Sequence, residues 1–233
     1  MSREIVQESM TPQCIGIILD GNRRWAKEKG IPKLEGHRVG LRDTLKKTIR
    51  LMAAQHIPHL VAYMLSTENW NREESEVSYL MDLFRESMRE DMRELGAENV
   101  RIKFAGQRER FSADLQQMMY EVEKETAQNT GITFWACLSY GGRAEIVEAA
   151  KALQKSGEEI TEETLRAHMW TSGMPDPDLI IRTGGDKRLS NFLPWQGVYS
   201  ELFFIDTLWP DFSEVELQRI LHDYGTRERR MGR

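Results

Sequence analysis

Arginine side chains, together with one aspartate, follow several short apolar segments of the sequence. The segment 14–19, CIGIIL, is followed by DGNRRW at 20–25, which contains a carboxylate, an amide and two guanidinium groups. More cations follow later apolar segments, in STENWNR (66–72), SYGGR (139–143) and RTGGDKRLSN (182–191). Because guanidinium groups bind phosphate oxygens bidentately, several of them around one pocket favour a diphosphate ligand. For any single arginine, a surface ion pair with a glutamate is the alternative.

Two acids are candidate metal ligands. A carboxylate at Asp20 would repel diphosphate oxygens unless a divalent cation lay between them, and Mg²⁺ typically binds one or two carboxylates plus substrate phosphates. Asp20 is therefore a candidate Mg²⁺ ligand, with a helix N-cap before NRRWAKEK as the alternative. Glu201, in YSELFF, lies beside an apolar segment, where an unpaired carboxylate would be costly. Its position therefore predicts a metal or an arginine partner.

The apolar segments have the lengths of strands, and segments of helical period separate them. This alternation predicts an α/β single domain with a central, mostly parallel six-stranded sheet flanked by helices. In an open parallel sheet, ligands bind beyond the carboxyl ends of the strands, so the turns that carry the arginines should meet at one edge. The predicted strands are 14–19, 60–65, 100–104, 132–138, 179–181 and 202–204.

One stripe of apolar residues, rich in methionine, predicts a single long helix. Its members recur at three- and four-residue steps, which is typical of one helix face. Adaptable core packing explains the methionines, and a wide cavity for a flexible apolar ligand is the alternative. The stripe consists of Val77, Leu80, Met81, Phe84, Met88, Met92 and Leu95.

Composition limits the partners and the compartment. The chain has 233 residues and a net charge of −5 at pH 7, which argues against a nucleic-acid binder. Cys14 and Cys137 lie in apolar stretches, as expected of buried thiols in a reducing compartment. The sequence has no signal peptide and no run that approaches the ~20 apolar residues of a membrane span. These features predict a flexible segment at 1–13, one domain at 14–233, and a cytoplasmic protein that at most touches a membrane surface.

Motifs of several competing enzyme classes are missing. The sequence has neither a GxxxxGK[ST] phosphate loop nor a GxGxxG turn after a strand, which disfavours an NTPase or a dehydrogenase. It also lacks the DDxxD pattern of the all-helical trans-type prenyl synthases. A diphosphate site of another kind is therefore predicted.

The motifs taken together resemble the cis-prenyltransferase family, the undecaprenyl diphosphate synthases and their short- and long-chain relatives. The match extends from about Ile15 to Gly232. The motifs, in family order, are DGNRRWA, GHRVG, STENWNR, YGGR, PDPDLIIRTGGDKRLSNFLPWQ, YSELFF and LWPDF. The resemblance implies a Mg²⁺-dependent enzyme that condenses isopentenyl diphosphate with an allylic diphosphate, farnesyl diphosphate being the expected primer. The implied product is a cis-polyprenyl diphosphate such as undecaprenyl diphosphate, a lipid carrier for cell-wall sugars.

The same resemblance implies a homodimer packed through its C-terminal half, a hydrophobic tunnel, and a peripheral membrane contact for product release. Asp20 corresponds to the essential aspartate that handles Mg²⁺ and diphosphate, Asn69 to an amide that helps to remove the proton, and Glu201 to a second metal-associated acid near the dimer interface. The allylic diphosphate site corresponds to Gly21, Asn22, Arg23, Arg24, Trp25, Lys33 and His37. A mobile segment corresponds to Ser66, Thr67, Glu68, Trp70 and Arg72, the isopentenyl diphosphate clamp to Arg182, Arg188, Leu189 and Ser190, and a C-terminal R-x-G to Arg230, Met231 and Gly232.

Four positions depart from the commonest family pattern. Lys33 stands where many bacterial members have arginine, Glu35 where an apolar residue is frequent, and Ser139 where asparagine is frequent. Met64 replaces a smaller residue, and a side chain directed into the tunnel would shorten the product. Alternatives are a short-chain or irregular cis-prenyl diphosphate synthase, a non-catalytic partner subunit, and a nucleic-acid-binding module that uses RERRMGR.

Overall fold

The structure is a computed structural model that describes residues 11–227. The predicted flexible segment therefore lies largely outside the described residues, as do Arg230, Met231 and Gly232. Gln13, just before the first strand, donates its backbone N–H to the Asp178 carboxylate at 2.7 Å.

Six parallel strands form one sheet, which confirms the predicted fold class. Each predicted strand is present, and neither of its ends differs by more than two residues from the one expected. The order across the sheet is β3-β4-β2-β1-β5-β6, with every pair parallel. The strands are β1 (Cys14–Ile18), β2 (His59–Ser66), β3 (Arg101–Ala105), β4 (Thr133–Tyr140), β5 (Leu179–Arg182) and β6 (Glu201–Phe204).

Helices connect the strands in the described part of the chain. They are α1 (Asn22–Glu28), α2 (Glu35–Arg38), α3 (Leu45–Ala54), α4 (Glu74–Arg89), α5 (Asp91–Ala97), α6 (Ala113–Glu125), α7 (Gly142–Ser156), α8 (Glu162–Ala167) and α9 (Glu214–Thr226). A π-helical turn, Val39–Thr44, joins α2 to α3, and short 3₁₀ turns occur at Thr67–Asn71, Arg108–Arg110 and Trp209–Asp211. Within residues 11–227, every helix is too short or too polar to span a membrane.

Alternate residues of the central strand pack into two different apolar clusters. Ile15 and Ile17 of β1 join the larger cluster, with apolar side chains of α3 to α6 and α9. Cys14 and Ile18 join a smaller one, in which the loops before and after β5 cover the other face. Both cysteines are buried and unbridged, as predicted.

The prediction of one long Met-rich helix is wrong at one residue. The helix is interrupted at Glu90, whose φ of −111° and ψ of −67° separate α4 from α5. The segment MREDM (88–92) contains no proline or glycine, so the sequence gives no sign of the break. The next residue, Asp91, is 1% exposed and pairs with Arg42 and Lys46. These buried ion pairs draw the backbone toward α3 and override local helix propensity.

Candidate active site

Two adjoining cavities lie beyond the carboxyl ends of the central strands. One, of about 600 Å³, extends from the polar turns toward α4. The other, of about 700 Å³, is bordered mainly by α1 and the segment after it. The cavities share Leu19, Asp20, Asn22, His37 and Arg72.

The predicted site residues converge on these cavities. The first is lined by Asp20, Asn22, His37, Ser66, Glu68, Asn69, Arg72, Arg182, Arg188 and Ser190. The second adds Gly21, Arg23, Arg24 and Lys33. The apolar wall of the first cavity contains Leu41, Met64, Leu80, Leu83, Phe84 and Trp209. An apolar channel therefore leads away from the polar turns.

The carboxylate of Asp20 lies between two guanidinium groups. Its Oδ2 accepts from Arg182 Nη2 at 2.8 Å, and its Oδ1 accepts from Arg24 Nη2 at 3.1 Å. The backbone N–H of Asp20 donates to Thr183 Oγ1 at 3.0 Å, and its carbonyl accepts from Trp209 N at 2.9 Å. The alternative of a helix N-cap is wrong, since the cap of α1 is Gly21, with φ of 108° and no capping side chain. The carboxylate is therefore directed into the site.

A second carboxylate, that of Glu76, organises the cations of the other cavity. Its side chain is 2% exposed and pairs with Arg72 at 2.9 Å and Lys33 at 3.2 Å. Arg23 Nη1 and His37 Nε2 lie 3.7 and 3.5 Å from it. A buried carboxylate is stable when paired in this way, and in return it fixes the positions of cations that would otherwise repel each other. Glu76 was not among the predicted site residues, because its partners come from other elements, Arg72 from the end of the 3₁₀ turn before α4.

His37 is neutral at physiological pH. Burial lowers the pKa of His37 to about 4, Arg72 adds to the lowering, and the nearby Glu76 carboxylate opposes it. Its Nε2 is buried and has no hydrogen-bond partner among the described residues, while the side chain lines both cavities. The neutral imidazole thus borders both cavities, and its Nε2 lies 3.5 Å from the Glu76 carboxylate.

The π-helical turn brings His37 close to the turn after β1. An added Cβ at Gly40 would lie 2.2 Å from Asn22 Oδ1, so a glycine is required at this approach. The Gly40 carbonyl also accepts from Trp209 Nε1 at 2.8 Å. These contacts bind the turn that carries Asp20 and Asn22 to the helices that carry His37.

Arg182 fixes the loop that follows β5. Its Nη1 donates to the Arg188 carbonyl at 2.5 Å and to Ser190 Oγ at 2.8 Å. The side chain is 5% exposed, and its Nε has no hydrogen-bond partner among the described residues. One guanidinium group therefore connects Asp20 with the loop that contains Arg188 and Ser190.

The segment after β2 forms a compact 3₁₀ turn. Asn69 Oδ1 accepts from Ser66 N at 3.0 Å, and the Ser66 side chain accepts from the Asn69 backbone in return. This reciprocal cap orients the Asn69 amide at the edge of the first cavity.

Some predicted residues line neither cavity. Trp25 Nε1 donates to Asp211 Oδ1 at 2.8 Å, and Trp70 Nε1 donates to Ser139 Oγ at 2.9 Å, so both indoles support the walls from outside. Thr67 and Leu189 also lie beside the cavities rather than in them. Ser139 adopts a φ of 51°, a conformation that asparagine, frequent here in the family, adopts readily.

Glu201 is the first residue of β6, at the amino end of that strand, whereas Asp20 lies beyond the carboxyl end of β1. Ile15 is level with Leu179, and Leu179 with Glu201, so Asp20, five residues beyond Ile15, is on the order of 16 Å away along the strands. Within one chain these acids cannot share a metal ion, whose ligands lie at about 2.1 Å. Glu201 Oε2 instead accepts from Arg227 Nη1 at 2.6 Å, the arginine partner left open above. Among the described residues, no group of three or more His, Cys, Asp or Glu is placed to hold a metal.

Known proteins resemble this chain in both sequence and fold. A family model described as "Putative undecaprenyl diphosphate synthase" matches residues 18–232. The chain belongs to this family of prenyltransferases. It is therefore an enzyme, and the resemblance seen in its motifs is confirmed.

Relatives of this prenyltransferase cover its whole length. An isoprenyl transferase of Neisseria gonorrhoeae is 44% identical over 233 residues, which are 100% of this chain and 94% of the relative. A Legionella pneumophila protein, named a ditrans,polycis-undecaprenyl-diphosphate synthase specific for (2E,6E)-farnesyl diphosphate, is 42% identical and covers 95% of each chain. The crystal structure of lavandulyl diphosphate synthase from Lavandula x intermedia, in complex with dimethylallyl diphosphate, has a TM-score of 0.91. It is 35% identical and covers 96% of this chain and 99% of its own.

Proposed function

We propose that this prenyltransferase condenses isopentenyl diphosphate with farnesyl diphosphate and forms a cis-polyprenyl diphosphate, such as undecaprenyl diphosphate. The observation that supports this most directly is the arrangement of the two cavities. Cations of separate elements surround Asp20, and an apolar channel between the sheet and α4 leads away from it. The farnesyl specificity in the name of the Legionella relative supports this choice of primer.

The allylic diphosphate binds in the cavity bordered by α1. Asn22, Arg23, Arg24, Lys33 and His37 supply donors there, and the Glu76 carboxylate holds three of these side chains in place. When its carbon–oxygen bond breaks, both electrons leave with the diphosphate. Fixed cations stabilise this developing negative charge without having to reorganise.

Asp20 is the residue of this chain that would hold Mg²⁺. A single carboxylate in a site full of phosphate donors suits Mg²⁺, which binds few protein ligands and takes its remaining oxygens from water and substrate phosphates. Bound there, the ion would supply Lewis-acid assistance to the departing diphosphate. A contribution from Glu201 would have to come across a dimer interface, given its place in the sheet.

Isopentenyl diphosphate binds in the loop after β5. Arg182, Arg188 and Ser190 hold its diphosphate, with its double bond directed at the allylic carbon that becomes electron-poor. The new carbon–carbon bond forms as the double bond attacks, and a proton is then lost from the added unit. An oxygen of the departed diphosphate is a base strong enough to take this proton, and the Asn69 amide at the edge of the cavity would assist the transfer.

A short-chain product is the second candidate. Met64 lines the apolar wall, and the cavity of about 600 Å³ has the size of an ordinary small-ligand pocket. A long polyprenyl chain would need the channel to widen along α4.

We further propose a cytoplasmic homodimer that touches the membrane surface when it releases product. The exposed apolar side chains near β6 support the dimer, and they include Val198, Tyr199 and Leu202. The product would serve as a lipid carrier for cell-wall sugars.

Mass spectrometry of the reaction products tests this function. The purified chain is incubated with Mg²⁺, isopentenyl diphosphate and farnesyl diphosphate, and separately with each diphosphate alone. We expect products that extend farnesyl diphosphate by whole isoprene units only when both substrates are present. If allylic diphosphates are joined to each other in the absence of isopentenyl diphosphate, the enzyme makes irregular products. If the purified chain forms no product under any of these conditions, it is a non-catalytic subunit.

A further inference from the structure

Asn191 connects three segments that border the candidate active site. Its Nδ2 donates to Glu68 Oε1 at 3.1 Å, which joins it to the 3₁₀ turn after β2. Its Oδ1 accepts from the backbone N–H of Arg143 at 2.9 Å, and its carbonyl accepts from Gly142 N at 2.8 Å, both in the first turn of α7. Asn191 itself follows Ser190 in the loop after β5 and lines the first cavity.

The chemistry of these partners requires an amide at this position. A backbone N–H needs an acceptor and a carboxylate needs a donor, and among side chains of this size an amide provides both. The backbone of Asn191 also has a φ of 68°, in the left-handed region that asparagine tolerates better than most residues. Ser190 before it has a φ of 49°, so the strained part of the loop is the part that carries the clamp.

The partner carboxylate is charged at neutral pH. Partial burial alone would raise the pKa of Glu68, but hydrogen bonds from backbone and side-chain donors, Asn191 among them, lower it below its usual value. The surrounding backbone is also close-packed, since an added Cβ at Gly141 would lie 2.6 Å from Thr67 Oγ1 and 2.8 Å from Asn191 Nδ2. A movement of the 3₁₀ turn would therefore displace the Asn191 side chain.

We propose that Asn191 is a positioning residue that couples the segment 66–72 to the Arg188–Ser190 clamp, so that binding of one diphosphate favours binding of the other. The inference rests on the proposed function for the identity of the two ligands. The segment 66–72 supplies Asn69 and Arg72 to the first cavity, and the clamp supplies Arg188 and Ser190. The Glu68–Asn191 hydrogen bond joins these two sets directly.

Variants that exchange the amide of Asn191 and the carboxylate of Glu68 test this proposal. N191D keeps the acceptor for Arg143 N but places a second carboxylate against Glu68. In the double variant N191D/E68Q, the glutamine amide can donate to the new aspartate, so the contact is restored with its direction reversed. N99D is a matched control, because Asn99 also has a positive φ, of 66°, and its Oδ1 also accepts a backbone N–H, from Thr130 at 2.9 Å, away from both cavities.

The measurement is isothermal titration calorimetry of isopentenyl diphosphate with Mg²⁺, with and without the non-reactive analogue farnesyl thiodiphosphate. We expect the analogue to tighten binding of isopentenyl diphosphate about tenfold in the wild type and in N99D, and little or not at all in N191D. In N191D/E68Q, we expect the tightening to return. Circular dichroism melting of each variant checks folding.

Three results would overturn the inference. One is equal affinity of the wild type for isopentenyl diphosphate with and without the analogue. The second is coupling in N191D that matches that in N99D, and the third is coupling in the double variant no stronger than that in N191D. Failure of the proposed function is a separate result, because a chain that binds both diphosphates without making a product would still report the coupling.

Discussion

At the residue scale, carboxylates in this site determine where cations lie. Asp20 takes hydrogen bonds from Arg24 and Arg182, and Glu76 pairs with cations of the neighbouring cavity. The two acids differ in accessibility, since the Asp20 side chain is 28% exposed and that of Glu76 is 2% exposed. Asp20 can therefore meet a ligand, whereas Glu76 acts through the side chains around it.

Removing the charge of Asp20 should reduce turnover and leave the fold intact. In D20N the side chain keeps its size and one acceptor, but it no longer presents a carboxylate to a metal. We expect kcat to fall about 100- to 1000-fold with little change in thermal stability. D82N, on the exposed face of α4, is the control and should retain wild-type kcat. Similar kcat values for D20N and D82N would contradict the role.

His37 should make stability depend on pH in the acidic range. Its pKa is about 4 in the folded protein, against 6.5 ordinarily, so between these values the unfolded chain binds more protons and stability falls as the pH falls. The difference corresponds to at most about 3 kcal/mol. Urea unfolding of wild type and H37Q from pH 7 to pH 4 checks this, and H37Q should lose less stability over that range. Parallel curves for the two proteins would contradict it.

At the element scale, the sheet follows from the sequence because its strands are short, apolar and separated by helical periods. The cation-rich turns could also be placed at one edge, since parallel strands bring their carboxyl ends together. The break at Glu90 and the π-helical turn at Val39–Thr44 could not be predicted, because tertiary ion pairs and close approaches produce them. Glu76 and Asn191 were missed for the same reason, as their partners are supplied by other elements.

The wall between β2 and α4 should set the product length. Met64 lines this wall, so in M64A the channel should be deeper and the longest product should gain at least one isoprene unit. Mass spectrometry of the products checks this, with M118A on α6, outside both cavities, as the matched control. An unchanged distribution of product lengths in M64A would show that Met64 does not limit product length.

At the scale of the whole molecule, the two edges of the sheet differ. The β3 edge carries Arg101 and Lys103, and charged residues of this kind discourage pairing between sheets. The β6 edge exposes Leu202 at 38%, and Tyr199 just before it at 74%. The apolar edge is the one expected to meet a second copy of the chain.

A charge on the β6 edge should therefore weaken the proposed homodimer. For L202D we expect the dimer dissociation constant to rise about 30-fold or more, the equivalent of about 2 kcal/mol. Analytical ultracentrifugation checks this, and I160D is the control, because Ile160 is exposed at 64% in the connection between α7 and α8. Equal dissociation constants for the two variants would place the interface elsewhere.

Two diphosphates should bind side by side around Asp20, with a hydrocarbon chain along α4. A crystal structure with isopentenyl diphosphate, farnesyl thiodiphosphate and Mg²⁺ tests this arrangement most directly. We predict one diphosphate at Asn22, Arg23 and His37, the other at Arg182, Arg188 and Ser190, and the farnesyl chain against Leu83 and Phe84. Diphosphates bound away from Asp20, or a farnesyl chain outside the apolar channel, would contradict the account.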